Sequence, residues 1–195
     1  MSDCCNAIRA YNDIHESQLD EGQDCCVRTD LGIVCEGGKV TEINWGSKVQ
    51  SGSLPDEIGN LENLKVLDLG KNHLSGYIPS SYYKLDKLET LSLKENALSG
   101  QLESFDGLSS LRSLDISNNF FSDKLQEDSF INLNELKFIN VGNNPGLTGL
   151  FPKPGPKVSL INTVGTDLTL CDAAAKVAVP AYFMDPTKVC PGMKK

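Results

Sequence analysis

Cysteine is missing from the 135 residues between Cys35 and Cys171, although the chain has seven in all. Long apolar runs are missing too. No stretch of the 195 residues approaches the roughly 18 that a membrane-spanning helix needs, so no membrane insertion is expected. No lysine or arginine cluster stands out, and the net charge is -8. That balance disfavours nucleic acid or an anionic membrane as the main partner, since both select basic surfaces. Histidine occurs only at His15 and His73, neither with a partner at ligand spacing, and there is no C-x-x-C pair, so no metal site is expected. A serine–histidine–acid set, a phosphate loop and a calcium loop are all lacking, which leaves no catalytic residue and no cofactor to name. Nor does the start look like a signal peptide, because Met1-Ser2-Asp3-Cys4-Cys5 runs straight into polar sequence. It reads as a mature form with a start methionine added, or as a chain never exported.

The cysteines that are present crowd the two ends: Cys4, Cys5, Cys25, Cys26 and Cys35, then Cys171 and Cys190. Terminal clusters around a cysteine-free middle read as stapled caps in an oxidising compartment, which points to an extracellular, secreted chain. An odd count leaves one thiol over, so Cys4 or Cys5 is a candidate for a disulfide-linked dimer.

The middle repeats. Leu64-Lys-Val-Leu67-Asp-Leu69-Gly-Lys-Asn72 returns as Leu88-Glu-Thr-Leu91-Ser-Leu93-Lys-Glu-Asn96, then as Leu111-Arg-Ser-Leu114-Asp-Ile116-Ser-Asn-Asn119 and Leu136-Lys-Phe-Ile139-Asn-Val141-Gly-Asn-Asn144. The asparagines step by 24, 23 and 25 residues. A degenerate first copy begins at Val40 and a weaker last one at Val158. Further columns keep the step: Ile58, Tyr82, Phe105, Phe130, and Leu61, Leu85, Leu108, Leu133. The L-x-L alternation makes a short strand with its leucines inward. Asn72, Asn96, Asn119 and Asn144 then follow as structural residues, whose amides can satisfy turn and neighbouring-coil backbone groups as a ladder. One coil cannot bury its own apolar face, so stacking supplies the core and the ends need covers. This predicts an α/β solenoid of about six coils of 23–25 residues with a parallel concave sheet. Its divisions are an N-terminal cap over 1–39, repeats over 40–166 and a C-terminal cap over 167–195. Residues 5–19 read as a cap helix with Ala7, Ile8, Tyr11, Ile14 and His15 on one face.

After each asparagine comes a second signature: Leu74-Ser-Gly76-Tyr-Ile78-Pro79, Leu98-Ser-Gly100-Gln-Leu102, and Leu147-Thr-Gly149-Leu-Phe151-Pro152. This L-x-G-x-I-P element resembles the plant-type class of extracellular leucine-rich repeats, which includes receptor-kinase ectodomains and polygalacturonase-inhibiting proteins. The resemblance implies a right-handed leucine-rich-repeat superhelix with a second short strand on the flank. A glycine suits a turn with positive φ, and Asp123, which replaces it in the fourth coil, visits that conformation more readily than most residues. Asp24-Cys25-Cys26 and Gly32-Ile33-Val34-Cys35 are similar to the same family's N-terminal cap, with Thr29 to Leu31 where a tryptophan is usual. By that likeness Cys26 pairs with Cys35, Cys25 with Cys4 or Cys5, and Cys171 with Cys190. No N-x-S/T sequon occurs, which suits a fungal or other non-plant source.

The outward columns of the strands hold the binding candidates. Lys71, Lys94, Glu95, Asp115 and Phe138 place a few charges and one aromatic among short polar residues, as an anchor within a polar rim. Asp68 and Asp115 lie two coils apart, roughly 10 Å, at the upper edge of inverting-glycosidase geometry, but an open polar surface gives neither a reason for a raised pKa. Trp45 falls at an inward position and reads as core. The expectation is a recognition module that binds a protein or peptide on its concave face, as the resemblance implies, and not an enzyme. Its rival is a cell-wall or carbohydrate-associated structural protein, for which Tyr77, Tyr82 and Tyr83 on the lateral face are the candidates.

Overall fold

The structure is a computed structural model that describes residues 3–15, 19–20, 22–48, 51–171 and 187. It opens with an α-helix, α1 (Asp3–His15), and a strand, β1 (Ile33–Glu36). Each coil then adds one concave strand and one flank strand. In chain order these are β2 (Lys39–Asn44) and β3 (Gly52–Ser53), β4 (Val66–Asp68) and β5 (Leu74–Gly76), β6 (Thr90–Ser92) and β7 (Ala97–Gln101), β8 (Ser113–Asp115) and β9 (Phe120–Lys124), β10 (Phe138–Asn140) and β11 (Gly146–Leu150), and β12 (Leu160–Asn162) and β13 (Asp167–Thr169). The concave strands form a seven-stranded sheet, β1-β2-β4-β6-β8-β10-β12, parallel except that β1 runs antiparallel to β2. Its six repeating strands are therefore joined by five turns of the solenoid. The flank strands form a parallel six-stranded sheet. The convex side carries short 3-10 turns such as Asp56–Asn60, Tyr82–Lys84 and Phe105–Gly107. Among the described residues the helical share is thus one α-helix plus short 3-10 turns.

Leucine stacking forms the core: Leu67, Leu69, Leu88, Leu93, Leu114 and Ile139 are each fully buried. A file of rings runs beside them, Tyr83–Phe105, Phe105–Phe130 and Phe130–Phe151, with centroids 5.3, 5.8 and 5.5 Å apart. The asparagine amides lie in this interior. Asn96 Nδ2 donates to the carbonyls of Leu69, Leu93 and Lys94 at 3.0, 3.0 and 3.3 Å, while its Oδ1 accepts from Leu74 N at 3.0 Å. Asn119 and Asn144 repeat the arrangement one coil further on, accepting from Leu98 N and Phe121 N. Each amide thus ties its own turn to the coil before it. In the sixth coil Thr166 makes a shorter version, donating to Thr163 O at 2.7 Å.

At the N-terminal end α1 lays Ala7, Ile8, Ala10 and Ile14, all fully buried, over the open core. The helix starts earlier than the sequence suggested and its last described residue is His15. Beyond it, Asn12 holds the returning chain through two bonds with the Leu19 backbone, both 3.0 Å, so Leu19 is outside the helix. Disulfides join Cys4 to Cys25 and Cys26 to Cys35. This settles the alternative in favour of Cys4 and leaves Cys5 outside both bonds. Cys171 is disulfide-bonded; Cys190, its expected partner, lies outside the described residues, as does most of the C-terminal cap. Trp45 is fully buried, donates to Leu31 O at 2.7 Å and meets the edge of Tyr11 at 5.4 Å. It is a core residue, and Leu31 beneath it is buried as well. Among the described residues no helix is long and apolar enough to cross a membrane.

Candidate functional site

The concave strands pair in repeat register: Val66 faces Thr90, Thr90 faces Ser113, Ser113 faces Phe138 and Phe138 faces Leu160. Repeat columns are therefore true rows on this face. Phe138 points outward, half-buried between Ser113 and Leu160. The next row, Asp68, Ser92, Asp115, Asn140, Asn162, does structural work at most positions. Asp68, Asp115, Asn140 and Asn162 each accept, through Oδ1, the backbone N–H two residues ahead, at 3.0, 3.1, 3.2 and 3.0 Å. Short side chains that fold back onto their own backbone turn the chain out of the strand. Asp115 accepts in addition from the Ser117 hydroxyl at 2.6 Å, and Asn140 donates to that hydroxyl at 3.1 Å.

Just past these turns the chain enters the left-handed region once per coil. Ser47, Lys71, Glu95, Asn118 and Asn143 have φ between 53 and 58°, and Gly165 has 76°. Their N–H groups continue the sheet ladder: Lys71 N donates to Lys94 O at 2.8 Å and Glu95 N to Ser117 O at 2.9 Å. Asparagine and glycine suit this conformation; lysine and glutamate do not, and a side chain there costs on the order of 1 kcal/mol. Lys71 and Glu95 thus stand exposed on strained backbone, and strain of this kind is held where surrounding structure or function demands it.

Two glycines sink the floor beside them. A Cβ on Gly46 would lie 2.8 Å from Asp68 Oδ2, and one on Gly70 would lie 3.0 Å from the Ser92 hydroxyl. The result is a shallow depression lined by Gly46, Ser47, Asp68, Gly70, Lys71 and Lys94. Two ammonium groups and one carboxylate around a floor of half-buried Gly46 and buried Gly70 can receive a polar, partly acidic partner. The structure therefore gathers Lys71 and Lys94 into one place, with Glu95 next to them in sequence. Asp115 stands one strand beyond β6, engaged with Ser117, and Phe138 another strand on. Asp68, Gly46 and Gly70 were not singled out from the sequence as binding residues. The signal for them was the column of glycines immediately after the aspartate column.

Ion pairs brace one edge of the sheet. Lys65 reaches Glu36 at 2.6 Å, Arg112 reaches Glu89 at 2.9 Å and Glu135 at 3.8 Å, and Lys157 reaches Glu135 at 2.6 Å. The bond from Lys157 holds the Glu135 carboxyl below its usual range, and the bond that Lys65 donates to Glu36 holds the Lys65 ammonium above its own.

The lateral face differs from expectation. Tyr82 and Tyr83 are buried, 1% and 6% exposed, so they are core side chains and not a glycan-facing cluster. Tyr82 donates its hydroxyl to Pro55 O at 3.0 Å, and the Tyr83 oxygen accepts from Glu103 N at 3.3 Å. Burial pushes both phenols up. Tyr77 alone of the three is exposed, at 71%.

Compared with known proteins, the chain matches the Leucine Rich Repeat family model at residues 63–85 and 110–133. No curated protein sequence matches it. Its fold is similar to the ectodomain of the receptor kinase SOBIR1 from Arabidopsis thaliana, with a TM-score of 0.72 and 27% identity over 86% of this chain and 96% of that one. It is similar to PEPR1 in a structure of PEPR1-AtPEP1, with 0.72 and 26% over 87% of this chain and 25% of that one. It is also similar to the plant peptide hormone receptor RGFR1 in complex with RGF2, with 0.67 and 28% over 75% and 27%. The chain therefore spans nearly the whole of the first ectodomain and about a quarter of the other two.

Proposed function

We propose that this chain, a leucine-rich-repeat protein with the fold of plant receptor-kinase ectodomains, is a secreted recognition module that binds a peptide or protein across its concave sheet. The glycine-floored depression carries the reading. Lys71 and Lys94 flank Asp68 there, and Lys71 keeps its side chain on left-handed backbone where glycine would be easier. Charges of both signs suit register-specific recognition of a polar chain better than adhesion to a polyanion. Phe138, two strands from Lys94, supplies an apolar anchor on the same face. Two of the similar structures are receptors solved with a peptide or hormone partner, and the cap disulfides suit an oxidising compartment. Binding and not catalysis is the role we assign, because Asp68 and Asp115 are both committed to backbone turns.

A displayed random-peptide library panned against the intact protein supplies ligands for the test. Lys94→Glu and Phe138→Ala are each expected to weaken recovered peptides at least tenfold, about 1.4 kcal/mol, in fluorescence anisotropy, with unchanged circular dichroism. Wild-type affinity in both variants would overturn the concave-face reading.

A further inference from the structure

The flank sheet presents a second, chemically different surface. Its strands pair two residues early relative to the repeat: Gly76 faces Leu98 and not Gly100, and Ser99 faces Phe120 and not Ser122. Outward rows therefore run Ser53–Ser75–Ala97, then Ser99–Phe120, then Gln101–Ser122–Gly146. Tyr77 is the first residue after β5, and a Cβ on Gly100 would lie 3.7 Å from its Cβ, which sets it beside the Ser99–Phe120 row. Tyr77 is 71% exposed and Phe120 64%, with only a serine between them. Two strand spacings separate the rings, roughly 10 Å, the length of one disaccharide unit in an extended β-1,4-linked chain. Successive sugars of such a chain flip, so one face recurs every second ring, which is the period these two aromatics offer. None of the three rows itself holds a charge, the Asp123 carboxylate at their edge accepts from the Ser122 hydroxyl at 3.3 Å, and Lys124 and Asp167 come in the row after them.

One more observation fixes the class of partner. About two residues along the strands, the face ends in a depression lined by Gln101, Leu102, Glu103, Ser104 and Gln126. Amides, a hydroxyl and a carboxylate there can bond sugar hydroxyls, while the rings take the C–H faces. We propose that this face binds a neutral β-1,4-linked glycan, with Tyr77 and Phe120 stacking on alternate sugars and the glutamine depression holding one end. A second protein copy fits poorly: two rings over serine and glycine cover far less than the roughly 1,200 Å² of a stable interface. An acidic glycan would meet a chain of net charge -8 and be repelled.

Affinity electrophoresis of the full chain in native gels tests this, with hydroxyethylcellulose as the neutral β-1,4-glucan and polygalacturonate as the acidic control. Retardation by hydroxyethylcellulose alone is expected. The double variant Tyr77→Ala, Phe120→Ala should lose it at least tenfold, and Tyr77→Phe should keep it. Both positions are exposed, and circular dichroism checks each fold. Lys94→Glu, which probes the concave face, should be slowed by hydroxyethylcellulose as much as wild type, each relative to its own migration without glycan, so the two surfaces fail separately. No retardation by hydroxyethylcellulose, equal retardation of the double variant, or a dimer in sedimentation that the double variant abolishes would overturn the proposal.

Discussion

The two sheets of this solenoid come from the same coils, yet only one of them keeps the repeat's register. On the concave sheet each residue faces its equivalent in the next coil, so Asp68, Ser92 and Asp115 form one row. On the flank sheet the pairing slips by two residues at every step (98 against 100, 120 against 122, 146 against 148). A slip of two leaves inward and outward faces unchanged, because side chains alternate with period 2. The core therefore tolerates it, and Leu74, Leu98, Phe121 and Leu147 all stay fully buried. What changes is which outward side chains become neighbours. A repeat column is a map of the concave face, but on the flank the rows run diagonally across the repeat.

The asparagines couple the two registers, so removing one is the strongest way to break the comparison. Asn96 holds three carbonyls at the end of the concave strands and one N–H at the start of β5. Asn96→Ala strands these groups in the core, each worth roughly 1–3 kcal/mol when left unmet. Allowing for relaxation, we expect a loss on the order of 3 kcal/mol, which is roughly 6–12 °C in Tm for a chain of this size. An unchanged thermal midpoint would mean that the amide does not bridge the sheets.

Backbone conformation sharpens the same contrast at a smaller scale. Both sheets place a left-handed residue in each of several coils, but the flank column is mostly glycine: Gly76, Gly100 and Gly149 at φ 84, 89 and 87°, with Asp123 at 69°. In the concave column Glu95 sits at φ 55° with a full side chain. Glu95→Gly should therefore stabilise the fold and Gly100→Ala destabilise it, each by about 1 kcal/mol. At Gly100 the nearest atom to an added Cβ is 3.7 Å away, an ordinary contact, so the expected cost is one of backbone strain. Urea midpoints that move in the same direction for both variants would refute the assignment.

Legibility followed the same divide. The leucine columns and the asparagine ladder lie where residue type and position are rigidly linked, and the sequence displays them; the Cys26–Cys35 bond was implied by the family resemblance. Asp123 was legible as a left-handed residue because aspartate tolerates that conformation. The concave left-handed column was not, since Ser47, Lys71, Glu95 and Asn118 share no chemistry; their φ is imposed by ladder bonds from the next coil. Tyr82 stands in the repeat column of Ile58, Phe105 and Phe130, so its burial was legible there, whereas the column of Tyr83 holds Gly59, Asp106 and Ile131 and carries no inward signal. Cys4 and Cys5 differ by about 100° around the helix, and only the docked orientation of α1 decides which meets Cys25. Phe120 escaped notice because its neighbour Tyr77 belongs to a different repeat column.

The smallest expected effect lies at the concave edge, where Glu135 sits between Arg112 and Lys157. Nothing on the flank rows corresponds to this charged brace, so it tests whether the concave sheet draws stability from charge at all. The Glu135 carboxyl is held below its ordinary value of 4.5, chiefly by the bond from Lys157. Its folded pKa is the lower one, so its contribution is complete above the unfolded value and is lost as pH falls through the folded one. Glu135→Gln keeps the shape and removes the charge. At pH 7 the variant should melt slightly below wild type, and the gap should close as the pH drops below 4.5. The pairs are solvent-exposed and therefore weak, and in ~1 M salt, where the Debye length is about 3 Å, the gap at pH 7 should also shrink. Thermal melts at both pH values and both salt levels decide it. A gap that persists in acid would show that Glu135 acts through packing or its carbon stem, and that the edge pairs add no charge-dependent stability.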